Sequence, residues 1–133
     1  MTDQNIKNLT QYRFERANES IEDAKLLANA NHWNACVNRL YYACFYAVSA
    51  LLIQLNLSSA KHTGIRSLFN QHFVKPGKID REAAQLYNDL FEKRQEGDYV
   101  DYVYFEESDI APLVPKVEEF IEKIKIIIQN ISE

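Results

Sequence analysis

Apolar residues recur at helical spacing along almost the whole chain. Phe14, Ala17, Ile21, Ala24 and Ala28 form one stripe, and Arg13, Glu19, Glu22 and Lys25 fall largely outside it. That pattern predicts a first helix over about 9–30. Asn29-Ala30-Asn31-His32 reads as a connection. The next helix, over about 33–55, carries Val37, Leu40, Tyr41, Cys44, Val48, Leu51 and Leu55 on its main face, widened by Phe45 and Leu52. Its opposite side holds Tyr42, Ala43, Tyr46, Ala50 and Ile53 with Arg39. A helix apolar on nearly every side is buried within a fold or also makes an oligomer contact.

Ser58 or Ser59 offers an N-cap for a shorter helix carrying Ile65, Leu68, Phe69 and Phe73. Pro76-Gly77 signals a turn. A further helix starts at Asp80, carries Ala83, Leu86, Tyr87, Leu90 and Phe91, and is expected to stop at Gly97, which tolerates a left-handed C-terminus. Residues 98–105 have four aromatics and no helical stripe, so an ordered loop is expected. The last helix is expected to be capped by Ser108 or Asp109, with Pro112 in its first turn and Pro115 kinking or delaying it. Val114, Val117, Phe120, Ile121, Ile124, Ile127, Ile128 and Ile131 then give one apolar face, with Lys123 and Lys125 off it. Four long helices and a short one predict an all-α, up-and-down bundle of about five helices, a single domain over 1–133.

Composition supports a core. Of 133 residues, 47% are hydrophobic and 26% charged, which excludes disorder, and 3 Gly with 3 Pro are too few for the turns of an all-β domain. The best unbroken apolar run, 47–53, contains Ser49 and is too short to span a bilayer, and the N-terminal residues lack the pattern of a signal peptide. Cys36 and Cys44 are eight apart on one helix, about 12 Å at roughly 1.5 Å per residue. A disulfide tolerates about 7 Å at most. Two reduced thiols and a cytoplasmic location are the expectation.

The net charge is −4, so a globally basic nucleic-acid coat is excluded. Locally the balance differs. Residues 61–81 hold Lys61, Arg66, Lys75, Lys78 and Arg81 against Asp80 alone, with His62 and His72 among them. Such a segment suits a phosphate-bearing partner, or is a solvated turn-rich surface. No glycine-rich phosphate loop and no nucleophile elbow is present, and His32, Cys36 and Cys44 lack a fourth metal ligand. No metal or cofactor is implied.

Two constellations remain. Arg39 projects from the second helix with Tyr42 and Tyr46. Arg94 and Asp98 are four apart at a helix end and can pair, followed by Tyr99 and Tyr102. Each arginine is either a structural ion pair or a guanidinium beside a phenol, suited to holding a phosphate and stacking a base.

These segments carry a resemblance. Asn38-Arg39-Leu40-Tyr41-Tyr42-Ala43-Cys44-Phe45, Lys61-His62-Thr63-Gly64-Ile65-Arg66-Ser67-Leu68-Phe69 through His72-Phe73-Val74-Lys75, and Arg94 followed by Asp98-Tyr99 are similar to small stand-alone HEPN-domain proteins of bacteria and archaea. The resemblance implies a helical bundle, a homodimer, and a minimal nucleotidyltransferase as partner in a toxin–antitoxin-like pair. Active relatives are metal-independent ribonucleases that use an Arg, then four to six intervening residues, then a His. Here Arg94 occupies the Arg position, Tyr99 stands five residues on, and no His follows it. Tyr titrates near pH 10 and His near 6.5, so Tyr is the poorer proton carrier. The spacing of Arg66 and His72 also fits, but on the third segment. The expectation is a nucleotide- or RNA-binding bundle with a degenerate catalytic motif. Arg39, Tyr42, Arg94, Asp98, Tyr99, Lys61, His62 and Arg66 would form the binding surface, and Arg94 with Tyr99 would stand at the catalytic position. A ribonuclease toxin and a purely structural helical interaction module are the alternatives.

Overall fold

The computed structural model describes residues 2–132. Helix α1 (Asp3–Asn29) begins before its apolar stripe does. Thr2 accounts for the early start: its side chain accepts a hydrogen bond from the Asn5 backbone N–H, one of the donors a helix start leaves open. Asn31, in the left-handed region at φ 61°, turns the chain into α2 (Trp33–Gln54). After α2 come α3 (His62–Phe69), a π-helical turn (Asn70–Val74), α4 (Arg81–Tyr99), a single turn α5 (Glu107–Ile110), and α6 (Leu113–Ser132). The all-α bundle expected from the periodicity is what the chain forms.

Helix α2 is the centre. It packs against α1, α3, α4, α5 and α6. Val37, Leu40, Tyr41, Cys44, Val48 and Leu51 are fully buried, and so are Ala43, Ala47 and Ala50 on the other side. Taken over a window rather than as an unbroken run, α2 is apolar and long enough to cross a bilayer, with mean hydropathy 1.4, which corrects the expectation from 47–53. Yet 72% of that window is buried inside the bundle. Most of its apolar surface is covered by the other helices. Cys36 and Cys44 are free and buried; Cys36 donates to the Ala24 carbonyl at 3.4 Å, and burial pushes its thiol up to about 11.

Several helix ends differ from the expectation. Ser59 does not cap α3. Lys61 occupies that place, and its backbone N–H donates to the Ser59 hydroxyl at 3.2 Å. Gly64 lets the loop pass: a Cβ there would lie 2.8 Å from the Ser59 Cβ. Asp80 does cap α4, accepting from the Ala83 N–H at 3.1 Å, while its other oxygen takes Lys123 of α6 at 2.9 Å. That bond to Lys123 holds the Asp80 carboxyl below the usual range. Glu106, not Ser108 or Asp109, caps α5, in a reciprocal box with Asp109. The expected last helix is divided: α5 ends at Ile110, Pro112 lies in the turn before α6, and α6 starts later than expected, with Pro115 as its third residue, where the missing N–H has no intrahelical acceptor to lose.

Gly97 is not a helix stop. Helix α4 runs through it to Tyr99, and the extended Val100 ends it, so the loop begins two residues later than expected and runs over 100–106. Gly97 serves close packing instead: a Cβ there would sit 3.0 Å from Phe105 Cε2. The left-handed position falls at Tyr102, φ 66°. Asn34 fastens the loop, donating to the Val103 carbonyl at 2.8 Å and accepting from the Phe105 N–H at 2.9 Å. Gly97→Val should therefore cost about 1–3 kcal/mol, as overpacking does. Urea denaturation would measure it, and an unchanged midpoint would show that Phe105 yields freely.

Candidate functional site

Helix α2 turns a row of half-buried aromatics, Tyr42, Phe45 and Tyr46, toward the bundle's edge, and Tyr41 lies fully buried beneath. Helix α4 brings Arg94 over this row. Arg94 is only 7% exposed, an unusual depth for a guanidinium. Its carbon lies 4.8 Å from the Tyr41 ring centre, 5.7 Å from Tyr42 and 5.8 Å from Tyr99. Arg39, one turn before Tyr42 on α2, places its guanidinium 5.0 Å from that same Tyr42 ring. Two cations from separate helices thus meet at one phenol, each held partly by ring quadrupoles.

Their counter-charges are thin. The Asp98 carboxylate approaches Arg94 only to 3.8 Å, too long for a hydrogen bond, and the buried Arg94 Nε has no hydrogen-bond partner. Arg39 makes no ion pair among the described residues. It donates instead from Nε and Nη2 to the Asn38 side-chain oxygen at 2.9 and 2.7 Å. The Asn38 amide in turn donates to Asp98 Oδ2 at 2.9 Å. Asn38 therefore ties both arginines to one carboxylate. A buried cation with unfilled donors is costly unless an anion completes it.

The third segment closes the other side. His62, the first residue of α3, stacks on Phe45 with centres 4.3 Å apart, meets Tyr42 edge-on at 5.8 Å, and lies 2.8 Å by Nδ1 from the Tyr41 hydroxyl. Burial raises the Tyr41 phenol well above its ordinary value, so it stays protonated and can donate to Nδ1. With the Tyr41 hydroxyl donating, the neutral His62 ring carries its proton on Nε2. Arg66 lies 4.0 Å over the Phe91 ring, behind Tyr41. Lys61 is exposed beside His62 and makes no ion pair among the described residues. Tyr99 is 72% exposed, with Tyr102 and Tyr104 still more open. The basic run divides: Arg81 begins α4, thirteen residues and roughly 20 Å from Arg94 along the axis.

Residues 10–127 match the family described as the HEPN domain. The chain belongs to the HEPN-domain family. A Thermotoga maritima protein named UPF0332 is 42% identical over 126 residues, 95% of this chain and 96% of its own. Two Methanocaldococcus jannaschii proteins named as candidate toxins are 31% identical over 111 residues (84% and 76% of the two chains) and 28% identical over 131 residues (98% and 97%).

In this HEPN domain, Asn34, Asn38, Tyr41 and Phe45 organise the site, and the sequence pattern assigned none of them to it. Asn38, Tyr41 and Phe45 lie within the segment that carries the resemblance; Tyr41 and Phe45 fall on the helical stripe and read as packing, and Asn38 lies off it. His62 has a titratable consequence. Burial first, and the Arg94 charge second, hold its imidazole below the ordinary 6.5. The folded state then binds fewer protons than the unfolded one. Its contribution to stability is full above about pH 6.5 and falls as pH drops from there toward the lowered value. The wild type should lose more stability than His62→Gln on acidification from pH 7.5 to 5. Parallel losses in urea titrations at each pH would contradict this.

Proposed function

We propose that this HEPN domain binds single-stranded RNA or a nucleotide through the Arg39–Arg94 pair. A phosphate would lie between the two guanidinium groups, a base would stack on Tyr42 or Tyr99, and His62 Nε2 and Lys61 would add donors. What carries the reading is one observation: two arginines from different helices converge on Tyr42, and the deeper one keeps an unfilled Nε. Asp98 holds Arg94 in place and is the group an incoming anion would partly replace. We further propose that the protein acts in the cytoplasm as a homodimer, beside a minimal nucleotidyltransferase in a toxin–antitoxin-like pair. The family resemblance supports that setting, and the names of the two Methanocaldococcus relatives agree with its toxin part alone.

A second reading is a metal-independent ribonuclease, favoured by His62. The usual His after Arg94 is replaced by Tyr99, yet an imidazole from α3 reaches the same Tyr41–Tyr42 platform as Arg94. Anisotropy titrations with a labelled short RNA, run beside cleavage assays from pH 5 to 9, separate the readings. Binding without cleavage supports the first. Cleavage lost in both Arg94→Gln and His62→Gln supports the second. Neither binding nor cleavage leaves a structural bundle.

A further inference from the structure

The row of arginines and phenols continues past Arg39 onto α1. One turn beyond Tyr42, Tyr46 lies with its ring centre 5.9 Å from that of Tyr42. Arg16 of α1 sits 5.2 Å over the Tyr46 ring and donates from Nη2 to its hydroxyl at 3.4 Å. A turn back on α1, Arg13 donates from Nη1 to the Ser49 carbonyl at 3.4 Å, and partial burial lowers its pKa. Among the described residues Arg16 has Glu19, 69% exposed, as its ion-pair partner at 3.6 Å, and Arg13 makes no ion pair. In a chain of net charge −4, four arginines from three helices therefore follow one line of tyrosines, with two carboxylates, Glu19 and Asp98, in ion-pair range among the described residues. Glu19 also lines an open depression on α1 with Glu15, Asn18, Glu22 and Asp23.

We propose that this row, Arg94, Arg39, Tyr42, Tyr46, Arg16 and Arg13, is a single-strand track that leads a polynucleotide away from the Arg39–Arg94 pair. The proposal rests on the RNA-binding reading and gives it a substrate class: a chain of several nucleotides rather than a mononucleotide. Alternating cations and aromatic faces are what a sequence-tolerant single strand requires, since phosphates take the charges and any base can stack. From Arg39 to Ser49 the track covers roughly 15 Å of helix. At about 3.4 Å per stacked nucleotide that is a run of about four beyond the pair.

Fluorescence anisotropy with labelled oligouridylates of one, two, four, eight and twelve nucleotides tests it. Affinity should climb up to roughly six nucleotides and then level off. Arg13→Gln/Arg16→Gln should weaken the eight-mer about tenfold and flatten its salt dependence by about 0.7 per lost contact. It should leave uridine monophosphate binding unchanged, with melting curves confirming an intact fold. An eight-mer held as tightly as by the wild type, while Arg94→Gln still weakens it, overturns the track and keeps the pair. Insensitivity to both variants, or no binding by the wild type, overturns both. A change of oligomeric state in the double variant with unaltered RNA affinity assigns the row to a protein contact, and the track fails.

Discussion

Arg94→Gln should lower affinity for a short single-stranded RNA by roughly tenfold to a hundredfold. A charge-assisted hydrogen bond contributes about 1.5–3 kcal/mol, and each 1.4 kcal/mol is a factor of ten. Arg94 is placed to make such bonds because Asp98 stands off at 3.8 Å and Nε is unfilled. Glutamine keeps most of the volume over Tyr41 and removes the charge. Arg94→Lys should recover part of the loss, since it restores charge without the planar fork. Arg39→Gln should also weaken binding, by less, because Asn38 already takes two of its donors. Anisotropy titrations at fixed salt provide the numbers, and thermal melts establish that the variants fold. Wild-type affinity in Arg94→Gln would remove this residue from the site.

Tyr41→Ala should be the most damaging substitution to the fold. The ring is fully buried and touches Tyr42, Phe45, His62, Tyr87 and Phe91, with Arg94 above it. Truncating a core aromatic costs about 3–5 kcal/mol, a large share of the roughly 5–15 kcal/mol that holds a domain together. Arg94 and His62 would lose their shared support at the same time. Tyr41→Phe keeps the rings and removes only the hydroxyl, so it should cost about 0.5–1.5 kcal/mol. It should also release His62 Nδ1, altering the pH dependence of stability. Equal destabilisation by Ala and Phe would mean that the hydroxyl, not the ring, is what the core needs.

Much of this was legible in the sequence. Helical stripes locate the core because burial and the 3.6-residue repeat are the same signal, and the all-round apolar α2 had to be central. Helix ends were harder. Thr2, Lys61 and Glu106 occupy the cap positions through contacts that single-residue preference does not rank, and Gly97 is required by Phe105, a contact eight residues away. Arg39, Tyr42, Arg94, Asp98 and Tyr99 were singled out, and they lie together in space. Their chemistry is visible one residue at a time. What holds them is not: Asn38 between Arg39 and Asp98, or Tyr41 beneath Arg94, depends on which side chains face each other across helices. His62 was named as well, for the basic segment it lies in, but its place beside Arg94 is set by the same packing. Reading forward from Arg94 finds no histidine, whereas the fold brings one from α3, 32 positions earlier, to the same ring platform.

The most direct test follows the two guanidinium groups themselves. Proton–nitrogen spectra of the arginine Nε groups, assigned through Arg39→Gln and Arg94→Gln, can be recorded while a six-nucleotide RNA is added. The Nε resonances of Arg39 and Arg94 should shift together and yield one dissociation constant. Shifts confined to other arginines, or RNA bound with both of these unmoved, would contradict an anion held between the two helices.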